Sequence, residues 1–293
     1  VHKGDHPNTA SFISSLANAR LQFGRAKEAE TLFIESMEMR QRLFKGDHPD
    51  VAASLCNLAS VLQELGRHAE AETLYIRSLE MKQRLFRGDN QAVVQGMVNL
   101  ANARKDLGRL PEAEALLIQA LAMIQRVYNY DHAEVAICLN NLADVLLSSG
   151  RAKDAWPHLV RALEIWERLY EGDQPLKSKT IDNMAKAKES LGRPTEAEVL
   201  YVQALEMRRR LYRGDHPDVA RGMNNLAGIL LVLKRPAEAE TLYVAALEMN
   251  RRHWKGDHPS VAFALRSLAG GRIALGRFTD ADQHLVEALE MYR

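Results

Sequence analysis

Ten histidines, two cysteines and a recurring asparagine are the residues whose chemistry has to be weighed first. His6, His48, His132, His216 and His258 recur 42 or 84 residues apart in short Gly-Asp or Tyr-Asp stretches, so they cannot converge on one ion. His158 and His284 share a place in two different stretches. No His-Glu-x-x-His, Cys-x-x-Cys, phosphate-cradling glycine loop or calcium loop occurs. Cys56 and Cys138 lack a histidine partner in the same stretch. Carboxylates such as Glu70 and Glu72 alternate with alanine and read as solvated helix faces with i,i+4 partners. The expectation is no catalytic residue, no metal, no cofactor and no enzymatic activity. The asparagines are different. Asn57, Asn99, Asn141, Asn183 and Asn225 stand 42 residues apart, with Ser15 and Ser267 in the same place at the two ends. A side-chain amide has both donors and an acceptor, so a column of them can bind a peptide backbone of any sequence. It can equally bond a carbonyl of the adjacent unit and set the stacking angle.

The elements that would position this column follow from the period. Gly-Asp recurs at Gly4, Gly46, Gly88, Gly172, Gly214 and Gly256, and Tyr130-Asp131 fills the remaining slot. The chain divides into seven repeats, 4–45, 46–87, 88–129, 130–171, 172–213, 214–255 and 256–293. Counting from the first residue of each as zero, Pro at +3 suits a first helical turn and Gly at +20 a left-handed helix end. Apolar residues at +9, +12, +13, +16 and +19 mark one face of a first helix. A second helix over about +23 to +40 carries Ala at +25 and a small residue at +32. Neither helix buries its face alone, so neighbours must stack. The expected fold is all-α: one domain over 1–293, an α-α superhelix winding right-handedly, with a concave groove lined by first helices. Position +16 alternates Arg20, Leu62, Arg104, Leu146, Lys188, Leu230, Arg272, which points to duplication of a two-repeat pair. Those cations lie on the packed face and are expected to pair with Glu at +24 or +26. Repeat 4 is irregular. Pro157 is expected to kink its second helix or delay its start. Trp156, Trp166 and Tyr130 either form a convex partner site or repack around that defect.

The repeats resemble the tetratricopeptide repeat in its 42-residue, kinesin light chain-like form. The matching residues are His-Pro-Asp-Val-Ala (His48 to Ala52, His216 to Ala220), Asn-Asn-Leu-Ala (Asn140 to Ala143, Asn224 to Ala227), Leu-Gly-Arg, Ala-Glu-Ala-Glu and Ala-Leu-Glu-Met. The resemblance covers all seven repeats. It implies an α-solenoid for protein–protein recognition, with a peptide in the concave groove touching the asparagine column. It does not imply a motor, because no heptad region is present, and a carboxylate clamp is matched only in part. Fold alone does not name a ligand.

The groove-facing positions are +7, +10, +11, +14, +17 and +18. The expected peptide-binding set is the Asn column together with Asn140, Asn224, Asn102, Lys179, Lys186, Arg221, Arg266, Leu147 and Leu231. Glu64, Asp106 and Asp144 make repeats 2 to 4 acidic. Lys179, Lys186, Arg221 and Arg266, diluted by Asp182 and Glu189, make repeats 5 to 7 basic, so a ligand's acidic stretch is expected over repeats 5–7. Leu147, Leu231, Val232 and Ile137 offer apolar seats. First helices roughly 10 Å apart would meet about every third residue of an extended chain.

Lys+Arg number 39 against 38 Asp+Glu, which argues against nucleic acid or an anionic membrane as partner. No apolar run approaches the length of a membrane span. Two cysteines and no visible leader favour the cytoplasm. The chain reads as a fragment of a larger protein and as a monomer. The alternative role is a structural spacer that stacks end to end or binds folded partners on its convex side.

Overall fold

The structure is a computed structural model and describes residues 5–254 and 256–291. Gly4, which opens repeat 1, and the last two residues of repeat 7 lie outside them. The described residues form fourteen α-helices and no strand. Repeat 1 supplies α1 (Pro7–Gln22) and α2 (Ala26–Leu43), and repeat 2 α3 (Pro49–Glu64) and α4 (His68–Leu85). Repeat 3 supplies α5 (Gln91–Asp106) and α6 (Leu110–Val127), and repeat 4 α7 (Ala133–Ser148) and α8 (Ala152–Leu169). Then come α9 (Pro175–Ser190) and α10 (Pro194–Leu211), α11 (Pro217–Val232) and α12 (Pro236–His253), and α13 (Pro259–Ala274) and α14 (Phe278–Glu290). They group into two compact units, Val1–Ser149 and Gly150–Arg293, divided between α7 and α8. No helix among the described residues is long and apolar enough to cross a membrane.

Each first helix starts where its sequence allows. His48, His132, His216 and His258 are N-caps whose Nδ1 accepts the backbone N–H two residues on, at 3.1 to 3.2 Å. The ring is clamped from behind by the aromatic residue that ends the previous second helix, as in Phe44–His48 (3.7 Å) and Trp254–His258 (3.8 Å). Asn90 caps repeat 3 through Oδ1 at 2.8 Å instead. Gly at +20 takes φ near +75°, for example Gly66 at 76°, which releases the chain into the second helix. Repeat 6 has Lys234 there, at φ 61°.

The helices of one repeat meet through small residues. Ala at +25 (Ala29, Ala71, Ala113, Ala155, Ala197, Ala239, Ala281) is buried in every repeat. So is the small residue at +32, where Ser36 and Ser78 donate to Ala10 O and Ala52 O at 2.7 Å. In the Gly150–Arg293 unit, Tyr201, Leu205, Val219, Ile229, Tyr243 and Leu265 belong to one core cluster. Pro157 lies inside α8, whose start at +22 is in register with the other second helices. The expected delay does not occur, because a proline in the sixth residue lies beyond the turn that sets the helix start.

One ionic ladder ties loops to helices and a second ties helix to helix. Arg42, Arg84, Arg126, Arg210 and Arg252 fork onto Asp5, Asp47, Asp89, Asp173 and Asp215 of their own repeats, with Nε–O distances of 2.6 Å. Each guanidinium holds its aspartate below the usual carboxylate range. The second ladder uses +16 as expected: Arg104 meets Glu72 at 3.1 Å and Arg272 meets Glu240 at 3.2 Å, both at +26, while Lys188 meets Glu196 at 3.0 Å, at +24. Repeat 4 has Trp156 at +26, and Lys188 sits 4.2 Å from its ring centre. Trp166 is buried and donates Nε1 to Thr180 at 3.2 Å. Trp166 therefore serves packing.

Two predictions follow from the caps. Lys234→Gly relieves a left-handed backbone that disfavours L side chains by about 1–2 kcal/mol, so thermal denaturation should show a gain of roughly 0.5–1 kcal/mol after glycine's entropy is subtracted. His258 is pushed down from 6.5 to about 4, by burial first and by nearby His253 second. Its folded value lies below its unfolded value, so stability is full above pH 6.5 and falls as pH drops from 6.5 to about 4, because the unfolded chain takes the proton first. Allowing for partial exposure, the loss is about 1–2 kcal/mol. His258→Asn, which copies Asn90, should flatten that slope in urea titrations at successive pH values.

Candidate functional site

The expected site residues lie on the first helices, and the two compact units place them separately. In the Val1–Ser149 unit, Asn57 and Asn99 are half-buried on α3 and α5, and Asn141 is buried on α7. Asn99 Oδ1 accepts from Gln95 Nε2 at 2.9 Å, and Asn141 Nδ2 donates to Ile137 O at 2.9 Å, both one turn back on the same helix. The Asn57 side chain has no hydrogen-bond partner among the described residues. Asn140 is buried beside this column, whereas Asn102 and Leu147 are half-buried. The acidic residues are partly answered from within. Lys105 Nζ reaches Asp144 Oδ2 at 2.5 Å, Gln63 donates to Asp106, and burial pushes Glu64 above the usual carboxylate range.

In the Gly150–Arg293 unit, Asn183 is buried on α9 and Asn225 half-buried on α11, where its Nδ2 donates to Asp182 of the preceding repeat at 3.1 Å. Asn224 is buried, and its Oδ1 has no partner among the described residues. Lys179, Lys186, Arg221 and Arg266 are all exposed on the same three first helices. Arg221 pairs with Asp218 at 2.7 Å, and Arg266 lies 5.1 Å from the Phe263 ring centre. Leu231 is half-buried against the core, while Val232, Ile273 and Phe263 are 49%, 47% and 44% exposed.

The reading of Asp182 as a groove charge needs correction. In repeats 1 to 6 position +10 turns under the first-helix face, and Asp182 is buried there, paired at 2.5 Å with Arg208, itself only 1% exposed, whereas Arg266 at +10 of repeat 7 is exposed. This pair exposes a column that sequence reasoning missed. At +36 of repeats 1, 2, 5 and 6, near the end of the second helix, a polar side chain reaches the first helices. Arg40 donates Nη1 to Ser54 at 2.7 Å and Nη2 to Ser11 at 3.3 Å, and Lys82 Nζ lies 3.5 Å from Cys56 Sγ. Arg208 meets Asp182, and Asn250 donates to Ser260 O at 3.3 Å. Space matters at this crossing. A methyl group on Gly222 would stand 3.1 Å from both Arg208 Nη1 and Leu205 Cδ1. The one available signal was a cation at +36 on an otherwise apolar stripe.

Other chemistry is muted. Burial pushes the Cys138 thiol up to about 12, so its thiolate is scarce at neutral pH. Among the described residues no group of three or more His, Cys, Asp or Glu is placed to hold a metal ion.

The chain belongs to the tetratricopeptide repeat family, which it matches over residues 8–84, 92–155, 150–210, 180–252 and 218–293. Repeats of this family are interaction scaffolds. No curated protein matches it in sequence. Among solved structures it is similar to kinesin light chain TPR-like repeats from Podosopora anserina, at 22% identity over 72% of this chain and 100% of that one, TM-score 0.58. It is likewise similar to BtubC (BKLC) from P. vanneervenii, at 22% identity over 78% and 91%, TM-score 0.62. A third similar structure is the Rap conjugation gene regulator of plasmid pLS20 in complex with a Phr peptide, at 16% identity over 97% and 73%, TM-score 0.70. At these identities the likeness establishes the fold.

Removing one member of a buried ion pair leaves a desolvated charge. Asp182→Ala should therefore destabilise the chain by about 3 kcal/mol in urea unfolding, whereas removing a surface carboxylate such as Glu70 should cost far less.

Proposed function

We propose that this protein is an interaction scaffold that holds an extended peptide, or a disordered segment of a partner, against its first helices. The observation that carries this reading is the exposed face of α9, α11 and α13. Four cations, Lys179, Lys186, Arg221 and Arg266, stand among exposed Phe263, Val232 and Ile273, while the nearby Asp182 is buried and spent on Arg208. With Arg221 paired to Asp218, exposed Lys186 and Arg266 beside unburied apolar surface fit a ligand with an acidic stretch and an apolar anchor. The half-buried amides of Asn225 here, and of Asn57 and Asn99 in the other unit, would each meet the backbone of a ligand bound to their own unit, contributing about 1 kcal/mol net apiece. A likeness in fold to a regulator solved with a peptide agrees with this reading.

A peptide library screened on the purified chain should return acidic sequences carrying a large apolar residue. Lys186→Glu with Arg266→Glu should weaken the best of them by about tenfold to a hundredfold and flatten its salt dependence. Asn57→Ala with Asn99→Ala should weaken ligands of the other unit irrespective of their sequence, with helicity by circular dichroism unchanged. Selection of basic peptides, or binding indifferent to all four substitutions, would refute the reading.

A further inference from the structure

The alternation at +16 has a consequence on the opposite side of each unit, where second helices flank a first helix. In repeat 3 the valley between α4 and α6 is closed by Arg104, whose side chain is 22% exposed. Its Nε lies 3.1 Å from Glu72 Oε1 and 3.5 Å from Glu112 Oε2. Arg109 Nη1 reaches both oxygens of the same Glu72 at 2.9 Å. Repeat 7 repeats the arrangement, with Arg272 at 3.2 Å and Arg277 at 2.8 Å from Glu240 Oε1. Two guanidiniums share one carboxylate, and the arginine stem starts from the position that Leu62 holds in repeat 2.

Repeat 2 has Leu62 in that place, and the valley between α2 and α4 stands open. It is a cavity of about 420 Å³, floored by Leu58 and Leu62 and walled by Ile34, Met37 and Leu74. With no arginine at +16, Arg67 spreads between two carboxylates, Nη1 on Glu30 Oε1 at 2.5 Å and Nε on Glu70 Oε1 at 2.6 Å. Glu30 Oε2 accepts no bond among the described residues. Repeat 6 has the same parts: Leu230 at +16, and Arg235 spread between Glu198 and Glu238 at 2.6 Å each. The charge count differs in the same sense. Arg104 and Arg109 balance Glu72 and Glu112, whereas Arg67 faces Glu30 and Glu70, and Arg235 faces Glu198 and Glu238. The open valley of repeat 2 has one carboxylate in excess over an apolar floor, and repeat 6 carries the same charge count around Leu230.

We propose that the valleys of repeats 2 and 6 each receive an arginine side chain from a basic segment of a partner protein. The chain itself displays the fit in repeats 3 and 7, where an arginine lies over this floor with its guanidinium on the +26 glutamate. The stem covers leucine while the head stays at the rim, and a planar guanidinium can share a carboxylate already held by another. This surface is separate from the first-helix face, and each test fails independently of the other.

The test is methyl NMR of the whole chain titrated with N-acetyl-argininamide, with N-acetyl-norleucinamide as the apolar control. Argininamide should shift the methyls of Leu62, Ile34 and Leu230, saturating in the millimolar range, and norleucinamide should bind about tenfold more weakly. Leu62→Arg should abolish the Ile34 shifts and leave those of Leu230. Arg104→Leu should add a new responsive site at Leu100. Each puts into one repeat the residue another repeat carries there. Glu30→Gln keeps the cavity and should erase the preference for argininamide in repeat 2. Equal binding of norleucinamide, Ile34 shifts that survive Leu62→Arg, a preference that survives Glu30→Gln, or silence at both Leu62 and Leu230 would each overturn the proposal.

Discussion

The contact at +25 and +32 is the constraint around which each repeat is arranged. Alanine in one column and alanine or serine in the other leave no side chain between the two helices, so their backbones pack directly. A larger residue would have to displace a helix, since interiors packed to crystal density have little slack. With that approach set, every longer side chain finds its place by where it can still fit. The aromatic end of a second helix lies over the next N-cap histidine, the +38 arginine reaches the aspartate of its own loop, and the +36 side chain passes between two first helices. Few of these polar contacts carry much energy singly, because most are exposed. Their effect is to hold the register of each repeat.

Much of this was legible in the residues. Proline at +3, glycine at +20 and the buried alanines delimit helices whose ends the structure places within a residue or so of expectation. The pairing of +16 cations with Glu at +24 or +26 was legible too, because a charge on a packed face has to be answered nearby. Three things were not. Lys234 occupies a left-handed position that its identity does not announce. Asp182 looked like a groove charge because +10 sits near the edge of the helix face, and only the arrival of Arg208 from another helix shows that it is interior. The whole +36 column depends on which gap a side chain enters, and helix periodicity does not record that.

The candidate site was legible as a set of columns and less so as chemistry. The cations of repeats 5 to 7 are exposed as their positions imply. The amides are less uniform than their spacing. Asn99 and Asn141 bond along their own helices, whereas Asn225 bonds the preceding repeat. An amide's second partner is chosen by its neighbours at +7 and +10, and those positions change from repeat to repeat.

The leucine-or-cation alternation gives the array a parity. A single repeat cut from the chain or added to it would bring two like valleys together, either two cations competing for carboxylates or two vacancies side by side. Removing or inserting repeats in twos would leave the order intact. The heritable module of this architecture is then 84 residues rather than 42, and lineages of such arrays should grow and shrink in even steps.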